Sequence, residues 1–123
     1  MMKDFLLVGM GSFLGGGARF LVSRVLAAWT AMPLGTFVVN VAGCLLIGFF
    51  SALDYGVGPL NAQARLVLTT GFCGGFTTFS TFMNENWSFV KEDDYHFLAL
   101  YVLGSLAFGG LATVLGHALG KAV

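Results

Sequence analysis

The chain has 123 residues, of which 57% are hydrophobic and 10% are charged, and its mean hydropathy is +0.85. A chain this short and this apolar cannot hide its hydrophobic side chains from water in one small soluble domain, so we predict an all-α membrane protein. Six Lys and Arg residues balance six Asp and Glu residues, which leaves no basic surface for nucleic acid. Because a spanning helix takes about 20 residues, residues 1–123 are expected to form a single transmembrane domain of four helices.

The positions of the charged residues predict where the helices lie, because a charge at the bilayer centre costs about 3 kcal/mol on insertion scales. The first helix is predicted from about Phe5 to Ala28, and the second lies within residues 25–53 and starts near Pro33, which suits a first helical turn. The third starts near Asn61 or Arg65 and continues to about residue 84, and the fourth covers about residues 95–120.

The Lys and Arg residues give the four-helix arrangement almost no preferred orientation. One side of the membrane would carry Lys3, Arg65 and Lys121, and the other would carry Lys91, Arg24 and, near a helix end, Arg19. The positive-inside rule therefore allows insertion either way up. A subunit and its inverted twin would then pair as an antiparallel, dual-topology homodimer. The alternative is a weak preference for one orientation, which another signal in the chain decides.

Glycines occur at a spacing that lets helices approach closely. Pairs four residues apart lie within three of the predicted helices: Gly11 with Gly15, Gly71 with Gly75, and Gly116 with Gly120. Such small-residue faces are typical of tightly packed membrane helices. They predict close packing and do not identify a function.

The segment from Gly71 to Phe82 predicts that the third helix is broken near its middle, between about Gly74 and Thr78. Paired glycines are followed there by four hydroxyl residues in six positions. A break frees backbone carbonyls at membrane depth, which is tolerated only where protein, a cavity or a bound ion satisfies them. Inward-pointing carbonyls suit a hard cation such as sodium. The alternative is a continuous helix whose hydroxyls bond back to its own carbonyls.

Three polar or aromatic side chains in this region are candidates for contact with an anion. Phe79 and Phe82 are three residues apart and share a helix face, and the positive edge of an aromatic ring can contact a dehydrated anion. Asn40 places an amide donor in the apolar second helix. The alternatives are an aromatic pair that serves only packing and an Asn40 that only joins two helices.

Three segments together resemble the Fluc (CrcB-type) family of fluoride channels. They are Gly16–Arg19, Pro33–Gly43 and Gly71–Phe82. The segments occur in the right order and cover the first three helices, whereas the fourth helix matches mainly by position. The resemblance implies a passive, fluoride-selective channel and not an enzyme, which exports fluoride down its electrochemical gradient.

The resemblance also implies an assembly and a location. The expected assembly is an antiparallel homodimer with two pores and a structural sodium ion at its centre. Its partners would be a second copy of the chain, fluoride and the lipid bilayer. The expected location is the bacterial inner membrane, as a multi-pass protein.

The resemblance assigns roles to individual residues of this chain. Gly74 and Thr77 would offer their backbone carbonyls to sodium. The fluoride path would be lined by Asn40, Phe79, Phe82 and Thr81, with Tyr101, Ser105 and Thr36 adding hydroxyl groups. Arg19 would attract anions at a vestibule, and Glu85 would lie near a pore end. The alternative for Arg19 is a side chain that only extends to the membrane interface.

Two other functions compete with the channel. A small multidrug-type, proton-coupled exporter also has four helices, but it needs a buried carboxylate in its substrate site, and Glu85 is the sole candidate. A membrane assembly factor that transports nothing would tolerate replacement of Asn40, Phe79 and Phe82.

Overall fold

The computed structural model describes residues 1–30, 32–56 and 61–123. The described residues are helical and contain no β-strand. The helices are α1 (Met2–Ala27), α2 (Leu34–Ala52), α3 (Ala62–Leu66), a π-helical turn (Val67–Cys73), α4 (Gly74–Phe76), α5 (Ser80–Lys91) and α6 (Tyr95–Ala122). With α3 to α5 taken as one span, four helical spans are long and apolar enough to cross a membrane. The chain is therefore a multi-pass membrane protein of the predicted all-α class.

The bounds of the four predicted helices agree with the structure to within a few residues at most ends. The largest difference is in the third span, which continues beyond the predicted limit to Lys91. The connection between the second and third predicted helices, expected at residues 54–59, includes residues 57–59, which lie outside the described residues.

Side chains at the helix starts explain where two of the spans begin. The Asn61 side chain accepts a hydrogen bond from the Ala64 amide at 2.8 Å, and the Asp94 side chain accepts one from the Phe97 amide at 3.3 Å. Each bond satisfies a main-chain donor that has no partner inside its own helix. Asn61 thus begins the third span and Asp94 begins α6.

Glycines set the two closest helix contacts. A Cβ atom added to Gly11 would lie 2.6 Å from the Val67 carbonyl oxygen, and one added to Gly75 would lie 2.6 Å from the Ser12 carbonyl oxygen. On the other side of the bundle, a Cβ atom on Gly120 would lie 2.5 Å from the Phe49 carbonyl oxygen. Only glycine allows main chains to approach this closely. The predicted close packing is confirmed: α1 lies against the first half of the third span, and α2 lies against α6.

Helical geometry changes twice within the third span. Val67–Cys73 forms a π-helical turn, which accommodates one extra residue compared with an α-helix. The α4 segment ends at Phe76, Thr77 is extended (φ −89°, ψ 160°) and α5 begins at Ser80. Three residues between α4 and α5 therefore bring main-chain groups into the middle of the bundle without regular helical partners.

The turn between α5 and α6 is short and fully hydrogen-bonded. Asp93 has a positive φ of 55°, its amide donates to the Val90 carbonyl at 3.1 Å, and the Asp94 amide donates to the Phe89 carbonyl at 2.8 Å. This is the pattern of a helix C-terminus closed by a residue in the left-handed region. The chain therefore reverses within a few residues and sends α6 back along α5.

Candidate functional site

Asn40 binds the main chain of the segment between α4 and α5 through two hydrogen bonds. Its Nδ2 donates to the Thr78 carbonyl at 2.9 Å, and its Oδ1 accepts from the Thr78 amide at 2.8 Å. Both main-chain groups of Thr78 are thereby satisfied at membrane depth, where an unpaired group is costly. The second Nδ2 hydrogen has no acceptor among the described residues and remains available as a donor.

The carbonyls of Gly74 and Thr77 have lost the donors that a continuous helix would supply. In an α-helix they would accept from the amides of Thr78 and Thr81, respectively. The Thr78 amide instead donates to Asn40 Oδ1 at 2.8 Å, and the Thr81 amide donates to Thr78 Oγ1 at 3.3 Å. In the part of the chain that the structure describes, no other donor reaches either carbonyl.

Free main-chain oxygens of this kind suit a hard monovalent cation. The described residues hold no cluster of three or more His, Cys, Asp or Glu side chains that would suit a different metal. Gly74 is also exposed on the surface of the single chain. The two carbonyls expected from the resemblance are therefore among those that the local hydrogen bonding leaves without donors.

Arg19 contacts the same segment from α1. Its Nε donates to the Gly75 carbonyl at 3.1 Å, and the side chain is half-buried. The guanidinium group is thus bound to the main chain just before the non-helical residues. It satisfies the carbonyl next to Gly74, and it places a positive charge beside the segment.

Glu85 joins two of the hydroxyl residues expected along the path. Thr36 Oγ1 donates to Glu85 Oε2 at 2.9 Å, and Tyr101 Oη donates to Glu85 Oε1 at 2.7 Å. Thr36 and Tyr101 are only 5% and 8% exposed. Side chains from α2, α5 and α6 thus form one buried polar cluster, and both hydroxyl hydrogens point toward the same carboxyl group.

Ser105 is an expected path residue that the structure does not bring into this cluster. It lies one helical turn beyond Tyr101 and is half-buried. Its hydroxyl makes no hydrogen bond within the described residues.

The two phenylalanines are neighbours but have different surroundings. Their ring centroids are 6.2 Å apart, and the Phe82 ring centroid lies 4.9 Å from that of Tyr101. Phe79 is 74% exposed on the single chain, and Thr81 is exposed as well. The Phe82 ring therefore lies next to Tyr101 and its polar cluster, whereas Phe79 and Thr81 face outward.

Sequence reasoning missed two residues of this region. The Thr78 carbonyl accepts a hydrogen bond from Asn40 and the Thr78 amide donates one to it, yet sequence reasoning assigned Thr78 no role. Asn86 is 5% exposed, and its Nδ2 donates to the Phe82 carbonyl at 3.0 Å, while its Oδ1 has no partner among the described residues. No sequence signal separated Asn86 from the polar residues Asn84 and Glu85 that directly precede it. No sequence signal distinguished Thr78 from the hydroxyl residues around it.

The fold and the site together define a small multi-pass membrane protein with a polar side-chain cluster between its helices and donor-free carbonyls where the third span is interrupted. Residues 6–117 match the family model described as "CrcB-like protein, Camphor Resistance (CrcB)". The chain belongs to this family.

Several relatives carry the name "Fluoride-specific ion channel FluC". One from Chlorobium phaeobacteroides (strain BS1) is 48% identical over 117 residues, which cover 94% of this chain and 91% of the relative. One from Chlorobaculum tepidum is 50% identical over 113 residues, covering 91% and 89%. A third, from Phocaeicola vulgatus, is 43% identical over 117 residues, covering 94% and 96%.

Proposed function

We propose that this protein is a fluoride-selective ion channel that lets fluoride leave the cell down its electrochemical gradient. The observation that carries the proposal is the cluster that joins Thr36 and Tyr101 through Glu85 and reaches Phe82 through ring contact. Relatives that match nine-tenths of the chain are named for this activity. An ion channel makes and breaks no covalent bonds, so the protein is not an enzyme.

The physical difficulty for a fluoride channel is dehydration of the ion. Moving an isolated small anion out of water into a low-dielectric interior costs on the order of tens of kcal/mol. Several weak donors must replace the lost water without holding the ion too tightly. Asn40 has a free amide hydrogen, Phe82 offers the positive edge of its ring, and the hydroxyls of Thr36 and Tyr101 are held in place by Glu85. We propose that fluoride competes with Glu85 for those hydroxyl hydrogens as it passes.

The pore needs a second copy of the chain. Phe79 and Thr81 face away from the bundle in one chain, as does Gly74, so a single chain does not enclose these residues. An inverted second copy would cover them and would bring a second set of the same groups. The near-equal distribution of Lys and Arg residues supports an antiparallel homodimer. Two pores and a location in the bacterial inner membrane are what the family resemblance implies.

The donor-free carbonyls of Gly74 and Thr77 fit the sodium ion that the family resemblance implies. When bound, such an ion supplies a positive charge at the contact between the two copies. In this arrangement, among the described residues, no amide donates to either carbonyl. The main chain between α4 and α5 stays non-helical.

The proposal is tested by fluoride efflux from liposomes that contain the purified protein. A fluoride electrode records efflux, a potassium ionophore relieves the charge that accumulates, and chloride-loaded liposomes serve as the control. Rapid fluoride loss that requires the ionophore, with little chloride loss, is expected. No fluoride loss from verified dimers, together with uptake of a cationic dye driven by a pH gradient, would instead favour a proton-coupled exporter that uses Glu85.

A further inference from the structure

We propose that Asn40 and Thr78 are positioning residues for the cation site. Asn40 Oδ1 accepts the amide hydrogen that would otherwise bond to the Gly74 carbonyl. Thr78 Oγ1 does the same for the Thr77 carbonyl by accepting from the Thr81 amide. This inference rests on the proposed function, because it concerns the sodium ion of the same assembly.

The argument depends on competition for two amide hydrogens. A main-chain amide has a single hydrogen to donate, and a buried amide must find an acceptor. Side-chain oxygens of Asn and Thr compete with helical carbonyls for such hydrogens. In a continuous helix the acceptor for the Thr78 amide would be the Gly74 carbonyl. A carbonyl that receives that hydrogen bond is a poorer ligand for a cation.

Gly43 keeps the same surface of α2 close to the non-helical segment. Gly43 lies three residues after Asn40, so the two positions share a helix face. A Cβ atom at Gly43 would overlap the methyl group of Thr77. The missing side chain lets Thr77 approach α2, and this approach brings Thr78 within reach of the Asn40 amide group.

This arrangement connects the anion path with the cation site. Asn40 uses its Oδ1 to hold the Thr78 amide, and it keeps one Nδ2 hydrogen free for an anion. The same side chain therefore contributes to both sites. Thr78, in contrast, is assigned to the cation site alone.

The first test compares Thr78→Val with Thr78→Ser. Valine has nearly the shape of threonine but cannot accept a hydrogen bond, whereas serine retains the hydroxyl. The midpoint of thermal unfolding is measured as NaCl replaces N-methyl-D-glucamine chloride at constant ionic strength, because a ligand that binds the folded state raises that midpoint. We expect the half-saturating sodium concentration to rise at least about tenfold in Thr78→Val and to stay near the wild-type value in Thr78→Ser.

Asn40→Leu tests the other carbonyl by the same titration, and its sodium affinity is expected to fall as well. Equal sodium responses in the wild type, Thr78→Val and Asn40→Leu would overturn the proposal. Fluoride efflux from the same preparations separates this inference from the proposed function. If the wild type releases fluoride and Thr78→Val does not change the sodium titration, only the inference is wrong. If the wild type releases no fluoride but Thr78→Val weakens the sodium response, only the proposed function is wrong.

A measurement on the wild-type protein keeps the test independent of how the variants fold. Carbonyl carbons of Gly and Thr are labelled with carbon-13, and their resonances are compared in sodium and in N-methyl-D-glucamine. The Gly74 and Thr77 carbonyl resonances are expected to move when sodium is added. If neither resonance moves, these carbonyls are not ligands and the proposal is wrong.

Discussion

Tyr101 donates a 2.7 Å hydrogen bond to Glu85, which lies sixteen residues earlier in the chain. The bond joins α5 to α6 next to the contact between the Tyr101 and Phe82 rings. Thr36 completes the cluster from α2. Because the two hydroxyls share one carboxyl group, removal of any member leaves a buried polar atom without its partner.

Replacement of Tyr101 by Phe is expected to slow fluoride efflux roughly tenfold, as follows from loss of one donor worth about 1.4 kcal/mol to the ion. The protein should also lose about 1 kcal/mol of stability, because the half-buried Glu85 carboxylate loses one hydrogen bond. Liposome efflux and thermal unfolding measure the two effects. Tyr55→Phe is the matched control, since Tyr55 Oη donates to the Phe50 carbonyl outside the cluster. Equal efflux from the two variants would contradict a role for Tyr101 in the path.

Replacement of Phe82 by Ile is expected to reduce fluoride efflux by roughly two- to tenfold, because an aliphatic side chain offers no positive ring edge and aromatic contacts are worth about 0.5–1.5 kcal/mol. The dimer should remain intact by size-exclusion chromatography. The control is Phe108→Ile, whose ring packs edge-on against Phe37 at 6.0 Å and is 57% exposed. We expect near-normal efflux from that variant. If Phe82→Ile conducts as well as the control, the aromatic edge is not needed.

A cysteine at Glu92 tests the proposed dual topology. Glu92 lies at the end of α5 and is exposed, so a membrane-impermeant maleimide can reach it from one side of the membrane. In right-side-out vesicles about half of the Glu92→Cys protein should be labelled, and the rest only after permeabilisation. The unmodified chain is the control, because Cys73 is 2% exposed and Cys44 lies within α2. Complete labelling, or none, before permeabilisation would indicate a single orientation.

Replacement of Gly15 by Ala is expected to destabilise the protein by about 1–3 kcal/mol, because overpacking forces main chains apart. The added Cβ atom would meet the Phe72 carbonyl and would lie 2.9 Å from the Phe76 amide nitrogen. Thermal unfolding in detergent measures the loss. At Gly110 a Cβ atom meets nothing within 4 Å, so Gly110→Ala should unfold near the wild-type temperature. A Gly15→Ala protein as stable as this control would show that α1 can move away at little cost.

The sequence was sufficient to predict the helices and their packing. Uncharged stretches between charged residues predicted four spans, and glycines at fixed spacing predicted close helix packing, although not which helices meet. Both signals are local and follow directly from the energetics of lipid.

The internal hydrogen bonding was harder to predict, because it depends on how distant helices meet. Glu85 was expected near a pore end, but the structure also bonds it to Thr36, 49 residues away. The π-helical turn at Val67–Cys73 leaves no signature in hydropathy. The Asn40 bonds to Thr78 span 38 residues, and a single sequence does not indicate whether an amide binds a main chain or an ion.

Asp94 makes hydrogen bonds both at the end of α5 and at the start of α6. Its amide closes α5 through Phe89, and its side chain begins α6 through Phe97. The connection is therefore short, and α5 and α6 are joined at two places. One is this turn, and the other is the hydrogen bond from Tyr101 to Glu85. Separation of α5 from α6 would therefore cost hydrogen bonds at both places.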